Sequence, residues 1–356
     1  MKPTLRYIAE RANVSIGTVD RVIHDRGRVS EETQNRVRAI IEEIGYSPNI
    51  FASNLSTSRV HRFAAILPHT NDNADHWGLH RRGLTAAARE LSRMNVEFTE
   101  IPFELTSTGS FVRACTEAVA GDFSGYVLVP PAQSEVAEEW ALRFSATSPV
   151  VLVDSDLPKL DSVYFRGQNP VESGRVCGRL LNYMLPAESK VVLATPQSNA
   201  PLLLKRAQGV IEVASEHCRV AQVPVRAEET SSIMTRTLEQ ILNEHPDTKG
   251  IVVPNATVFF MAREFERRAS TLGIRLMGYD AIEENVRLLK AGYIDFLIGT
   301  HPDTQSYSAM HTLYQLVVLK QAPPRRVTQP VEILIRDNID SYRSTSSTYV
   351  DRTDLA

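Results

Sequence analysis

From Arg62 to about Tyr342 the chain alternates short apolar runs with amphipathic helical stretches. No other feature restricts the fold as much. The apolar runs are FAAILP (63–68), VEFTEI (96–101), GYVLVP (125–130), VVLVD (150–154), KVVLAT (190–195), IVVP (251–254), LMGYD (276–280) and FLIGT (296–300). Strands apolar on both faces need covering on both faces, and a helix after each strand supplies that cover in a parallel α/β sheet. This many units exceeds one compact sheet, so two lobes are expected.

In open α/β sheets, small ligands bind beyond the carboxyl ends of the strands, and two facing lobes bring those ends to one cleft. The residues placed there are His69 and Asn71 after the first run, Asp154 and Asp156 after the fourth, Asn255 after IVVP and Asp280 at the end of LMGYD. Arg206 lies on the helix after KVVLATP. Carboxylates, a guanidinium and an amide each engage adjacent hydroxyls in pairs, which suits a sugar or polyol. Trp77 can offer an apolar face to a ring. The same residues also have plainer roles: an Asp after a strand often caps the next helix, and Trp77 can be core. His76 and His80 have the i, i+4 spacing of a metal pair, with His69 nearby. No carboxylate stands between them as in the metalloprotease signature, so they read as surface or pocket histidines, with no metal expected.

The front end has a different pattern. Leu5, Ile8, Ala9 and Ala12 recur at helical spacing, Asn13-Val14 breaks the run, and Ser15 can cap a second helix. Burying Val19, Val22 and Ile23 leaves Ile16, Gly17, Thr18, Arg21 and His24 toward solvent. Two short helices joined by a tight turn, with small, hydroxyl and cationic groups opening the second, form a helix-turn-helix that can lie in a major groove. A third helix is expected from Ser30, with Glu31 and Glu32 in its first turn and Val37, Ile40, Ile41 and Ile44 as its apolar stripe.

The segments IAERANVS, RVSEETQNRV and IEEIGYSPN keep one order and spacing over nearly the whole span from Thr4 to about Arg62. That span resembles the headpiece of the lac repressor/galactose repressor family of bacterial transcription regulators. The resemblance implies an all-α helix-turn-helix headpiece followed by an α/β two-lobed periplasmic-binding-protein-like (type I) domain with parallel sheets. It implies that Thr4, Ser15, Thr18 and Arg21 contact the DNA backbone or read bases, and that Ile16 and Gly17 sit at the main specificity positions. His24 stands where the family usually carries Asn. Asn49 to Leu55 resembles the family's hinge helix, with Leu55 as the apolar wedge that unstacks a minor-groove step. Asp20, where Ser is common, and Ser53-Asn54, where Arg-Ser is usual, should weaken non-specific affinity. Beyond the headpiece the likeness rests on VVLVDSD, RGQNPVESGRVCG, KRAQGV, VVPNATV and GYDAIEENVRLLKAG. It favours Arg206, Asn255 and Asp280 as effector contacts and places lobe crossings near 166–169, 300–302 and 327–330. The expected organisation is a headpiece at 1–47, hinge and linker at 48–61, an effector-binding and dimerisation domain at 62–342, and a flexible tail at 343–356.

Charge is consistent with DNA contact confined to the front. The whole chain has 39 Lys and Arg against 42 Asp and Glu, a net −3, while its first sixty residues hold a small basic excess. The three cysteines are far apart and read as buried thiols of a reducing cytoplasm. No apolar run approaches a membrane span, and the first residues lack the layout of an export signal. The expected function is therefore a cytoplasmic, sequence-specific DNA-binding transcriptional regulator whose operator affinity is switched by a small-molecule effector, with a sugar or polyol favoured. One recognition helix reads one half-site, so a homodimer on a pseudo-palindromic double-stranded DNA operator is expected. The alternative is a solute-binding protein for carbohydrate uptake, which would share the two-lobed core. An enzyme is disfavoured because GxSxG, GxxxxGK[ST] and GxGxxG are all missing, and no cofactor is expected.

Overall fold

A computed structural model describes residues 4–23, 27, 29–44, 60–70, 75–196, 200–225 and 231–344, in two compact units, Met1–Ser58 and Arg59–Ala356. In the first unit, helices Leu5–Ala12, Ile16–Ile23 and Glu31–Glu43 enclose a small core of Ile8, Ala9, Ala12, Val19, Val22, Val37 and Ile40. The turn between the first two helices works because Asn13 takes a left-handed backbone (φ 51°), which Asn tolerates better than most residues. Its N–H then donates to the terminal carbonyls of the first helix. Ser30 caps the third helix by accepting from the Thr33 N–H, with Glu31 and Glu32 at the positive end of the dipole.

Among the described residues, the second unit holds two six-stranded sheets with helices between their strands. The first has the order β11-β5-β4-β3-β1-β2, built from β1 (His61–Pro68), β2 (Val96–Phe103), β3 (Gly125–Leu128), β4 (Val150–Val153), β5 (Tyr164–Gln168) and β11 (Arg326–Gln329). The second has the order β12-β10-β9-β8-β6-β7, built from β6 (Lys190–Pro196), β7 (Arg219–Val225), β8 (Thr248–Val252), β9 (Arg275–Tyr279), β10 (Phe296–Gly299) and β12 (Glu332–Leu334). Every pairing is parallel except β10 with β12. All eight apolar runs are strands. The four further strands, β5, β7, β11 and β12, escaped the apolar-run criterion. The two orders superimpose position by position, so β4 in the first lobe corresponds to β9 in the second. The free cysteines Cys115, Cys177 and Cys218 are all buried.

The chain changes lobe three times: after β5 into helix Pro170–Met184, after β10 into helix Pro302–Val317, and between β11 and β12. These are the crossings the family resemblance implies. Gln168 ties them together, donating from Nε2 to Gly299 O (2.9 Å) and Pro330 O (3.0 Å). Helix Pro302–Val317, though it follows a second-lobe strand, packs on the first-lobe core through Ala309, Met310 and Leu313. It approaches helix His76–Ser92 so closely that a Cβ at Gly83 would lie 2.0 Å from Asp303 O. Residues beyond β12 end in a helical turn in which Arg343 pairs with Glu283 at 2.8 Å. The expected tail boundary falls inside that turn, and residues 345–356 lie outside the described residues.

Candidate functional site

In the headpiece, the Ser15 hydroxyl accepts from the Thr18 N–H at 3.1 Å and bonds the Thr18 hydroxyl at 2.9 Å, which starts the second helix. Thr4 does the same for the first helix through the Tyr7 N–H. With Val19 and Val22 buried, the opposite face presents Ile16, Gly17 and Arg21, and Ile16 is 48% exposed. An exposed isoleucine at the start of a two-turn helix makes an apolar contact surface unrelated to the domain's own core. Thr18 is half-buried beside Ser15. His24 and Leu55 lie outside the described residues, as does the expected hinge segment.

In the two-lobed unit, the residues after β4 and β9 face each other. Asp154 and Asp280 occupy corresponding positions in the two lobes, and each has a left-handed backbone (φ 64° and 67°), which is uncommon for a non-glycine residue. Between them stands His76, the first residue of helix His76–Ser92, whose N-terminus Asp75 caps by accepting from the Gly78 N–H. His76 Nε2 is 3.1 Å from Asp154 Oδ1, and its Nδ1 makes a 3.1 Å ionic contact with Asp280 Oδ2 outside hydrogen-bonding alignment. The helix dipole adds positive potential where both carboxylates point.

Each carboxylate is held from behind. The Thr300 hydroxyl donates to Asp280 Oδ1, the Ser155 hydroxyl donates to Asp154 Oδ2, and the Asp154 N–H donates to Gln305 Oε1. Burial alone would lower the His76 pKa, but the Asp280 and Asp154 carboxylates outweigh it and push the imidazole up to about 10. Burial in turn works to raise Asp154, yet the His76 hydrogen bond and charge hold it down at about 2. Asp280 is likewise held below the usual carboxylate range, its burial overcome chiefly by His76. At neutral pH the arrangement is carboxylate, imidazolium, carboxylate, and it links the lobes. His80, one turn along, is pushed down to about 3 by burial and then by the charge on His76, so it is neutral. Its Nδ1 bonds Ser306 Oγ at 2.7 Å.

The other expected residues divide. Arg206 is buried, donates to Pro254 O at 3.0 Å and stacks over Tyr279 with Cζ 4.2 Å from the ring centroid. Its charge also reaches both aspartates. That placement depends on Gly174 of the neighbouring helix, where a Cβ would lie 2.1 Å from Arg206 O. Trp77 is half-buried against the first-lobe core and stacks on His80 at 5.6 Å, so it backs the site and packs the core at once. Asn255 Oδ1 accepts from the Thr257 N–H and hydroxyl, organising the turn before helix Val258–Arg267. Asp156 pairs with Arg326 of β11 at 3.1 Å and, with Asp154 and Lys205, lines an inter-lobe cavity of about 270 Å³. His69 is exposed just beyond the end of β1. Asn71 lies outside the described residues. Sequence reasoning missed His76, Thr300 and Gln305 as site members. The spacing of His76 and His80 was the available signal, but the carboxylate that completes it lies 78 residues from His76. His80, expected at a surface or in a pocket, is fully buried.

Residues 4–49 match the lacI family of bacterial regulatory proteins, and residues 64–321 match the periplasmic binding protein domain family. The front end is 40% identical over 68 residues to the HTH-type transcriptional regulator DegA of Bacillus subtilis and 42% identical over 67 residues to AscG of Escherichia coli. These stretches cover 19% of this chain and 20% of each relative, so the chain matches about a fifth of the length of these curated relatives. Among solved structures, a protein from Bacteroides fragilis described as a LacI transcriptional regulator superimposes with a TM-score of 0.74 at 22% identity, covering 80% of this chain and 100% of that one. A solute-binding protein from Burkholderia graminis in complex with D-arabinose reaches 0.72 at 19% identity, covering 79% and 97%. At these identities the likeness shows the fold. With a model match over residues 64–321, this chain belongs to the periplasmic binding protein domain family, and its front end, residues 4–49, matches the lacI family of bacterial regulatory proteins.

Proposed function

We propose that this protein is a sequence-specific DNA-binding transcriptional regulator whose operator affinity is set by a small polyhydroxylated effector, a sugar or polyol, in the cleft between its lobes. The observation that carries the reading is the pairing of Asp154 and Asp280 across the cleft by His76. Paired carboxylates beside a buried guanidinium are groups that hold vicinal hydroxyls. His76 occupies the position from which a ligand would reach both lobes, so effector hydroxyls take over its contacts and change how the lobes are held together. Thr4, Ser15, Ile16, Gly17, Thr18 and Arg21 supply the DNA face, with His24 and Leu55 as further contacts from the family resemblance. The protein acts as a homodimer on a pseudo-palindromic operator, since one helix covers one half-site. It works in the cytoplasm and is not an enzyme. The solved sugar-binding neighbours support a carbohydrate-sized ligand, but their role in uptake gives no account of the exposed Ile16 and Arg21.

The test is fluorescence anisotropy on operator fragments selected from a genomic library by the full chain, with and without a panel of sugars and polyols. Arg21→Ala should weaken binding to all fragments alike and reduce the slope of log affinity against log salt by about 1. A parent chain that selects no fragments over random duplex would refute the DNA-reading role.

A further inference from the structure

We propose that His76, His80 and Asp154 form a binding site for one divalent first-row transition ion, of the class that includes Zn²⁺ and Co²⁺. The site goes beyond the regulatory reading and does not depend on it. One ring nitrogen of each histidine and one Asp154 oxygen lie within 4.8 Å of one another. The two histidines stand one helical turn apart on helix His76–Ser92, and Asp154 comes from the end of β4 in the same lobe. Two neutral imidazoles and a carboxylate are a ligand set suited to such an ion, and three protein ligands leave a fourth position open.

His80 supplies the independent sign. It is fully buried, its Nδ1 is engaged by Ser306 Oγ at 2.7 Å, and among the described residues its Nε2 has no hydrogen-bond partner. An imidazole that donates from Nδ1 to a hydroxyl presents a bare lone pair at Nε2, and burying that lone pair unsatisfied has a cost that an ion removes. His76 is held between two carboxylates instead. Its Nε2 faces Asp154, while its Nδ1 faces Asp280 at 3.1 Å. Metal-bound histidines are typically oriented through the second nitrogen by a carboxylate, carbonyl or hydroxyl; His80 has such a partner in Ser306, and the Asp280 carboxylate stands beside Nδ1 of His76 in ionic contact. The ion replaces the proton shared by His76 and Asp154. Ligand bonds of about 2.0–2.2 Å put neighbouring donor atoms roughly 3.4 Å apart in a tetrahedron, so the widest separation must close by roughly 1.4 Å. Side-chain rotation of His76, the least buried of the three, accommodates this. Asp280 then reaches the ion's first ligand from the opposite lobe, so occupancy bears on lobe closure.

The test uses tag-free full-length protein stripped with EDTA. Titration with Co²⁺ should saturate at one ion per chain with visible d–d absorption, and Zn²⁺ should displace the colour. His80→Gln and His76→Gln should each weaken Zn²⁺ binding by more than about 100-fold, and Ser306→Ala by about 10-fold, as loss of an orienting partner does. His245→Gln should leave the titration unchanged. Circular dichroism melts establish folding, and His76→Gln carries the test if the buried His80 substitution unfolds the chain. The proposal is overturned if the parent shows no saturable Co²⁺ or Zn²⁺ binding below 100-micromolar metal (~100 μM, well above the affinities of three-ligand sites). It is equally overturned if folded His76→Gln binds as the parent does.

Discussion

The chemistry of the cleft depends on the charge state of one imidazole. Asp154 and Asp280 are 9% and 1% exposed as side chains, and His76 is 14% exposed, so each charge relies on the others for the solvation it has lost. Removing one member of a buried ion pair leaves the remaining charge uncompensated, typically at a cost of about 3–5 kcal/mol. His76→Gln, measured by urea unfolding in EDTA, should therefore lose about 3 kcal/mol. Asp280→Asn in that background should recover part of the loss, giving a coupling of about 1–3 kcal/mol in the double-mutant cycle. Strictly additive effects would show that the two groups are neighbours without being partners. Asp154, Asp280 and Arg206 were legible in the sequence because a polar residue after an apolar strand, or early in the following helix, lies at a strand's carboxyl end. His76 was not, because its role comes from two carboxylates brought to it by chain reversal.

At the level of elements, the strands read from the sequence were mostly those buried on both faces, such as β4, whose four residues are all buried, although the partly exposed edge strand β2 was read as well. The four that escaped each break the apolar pattern for a physical reason. In β5 the polar residue is Arg166, buried because its guanidinium donates to Phe165 O, Arg325 O, Pro324 O and Thr312 Oγ1. That arrangement satisfies a charge that composition alone would place in solvent. β7 is an edge strand with alternating burial, and β11 and β12 are short edge strands at the lobe crossing. Gln168 ends β5 and holds carbonyls from both other crossings. Gln168→Met keeps the volume and removes the donor, leaving two carbonyls unanswered, and should cost about 1–3 kcal/mol. Unfolding in urea measures that loss; a variant as stable as the parent would mean that packing alone holds the crossings together.

For the whole molecule, the proposed switch makes a demand that no single site can meet. If effector in the cleft changes operator affinity by some factor, operator must change effector affinity by the same factor, whichever direction the effect takes. The two affinities should also respond differently to salt. Operator binding by a cationic face releases counterions and weakens steeply as salt rises, while a hydroxylated effector between buried carboxylates has no such release. Once the panel has yielded an effector, its affinity measured calorimetrically with and without saturating operator gives one ratio. Operator affinity measured by anisotropy with and without saturating effector gives the other. Equal ratios different from one are the expected result, and they should stay equal at each salt concentration although the operator affinities themselves fall. Ratios of one in both directions would mean that the cleft and the recognition helix share a chain without sharing an equilibrium. A His76→Gln variant then locates the coupling: if the imidazolium is the contact that effector displaces, the variant shifts both ratios together.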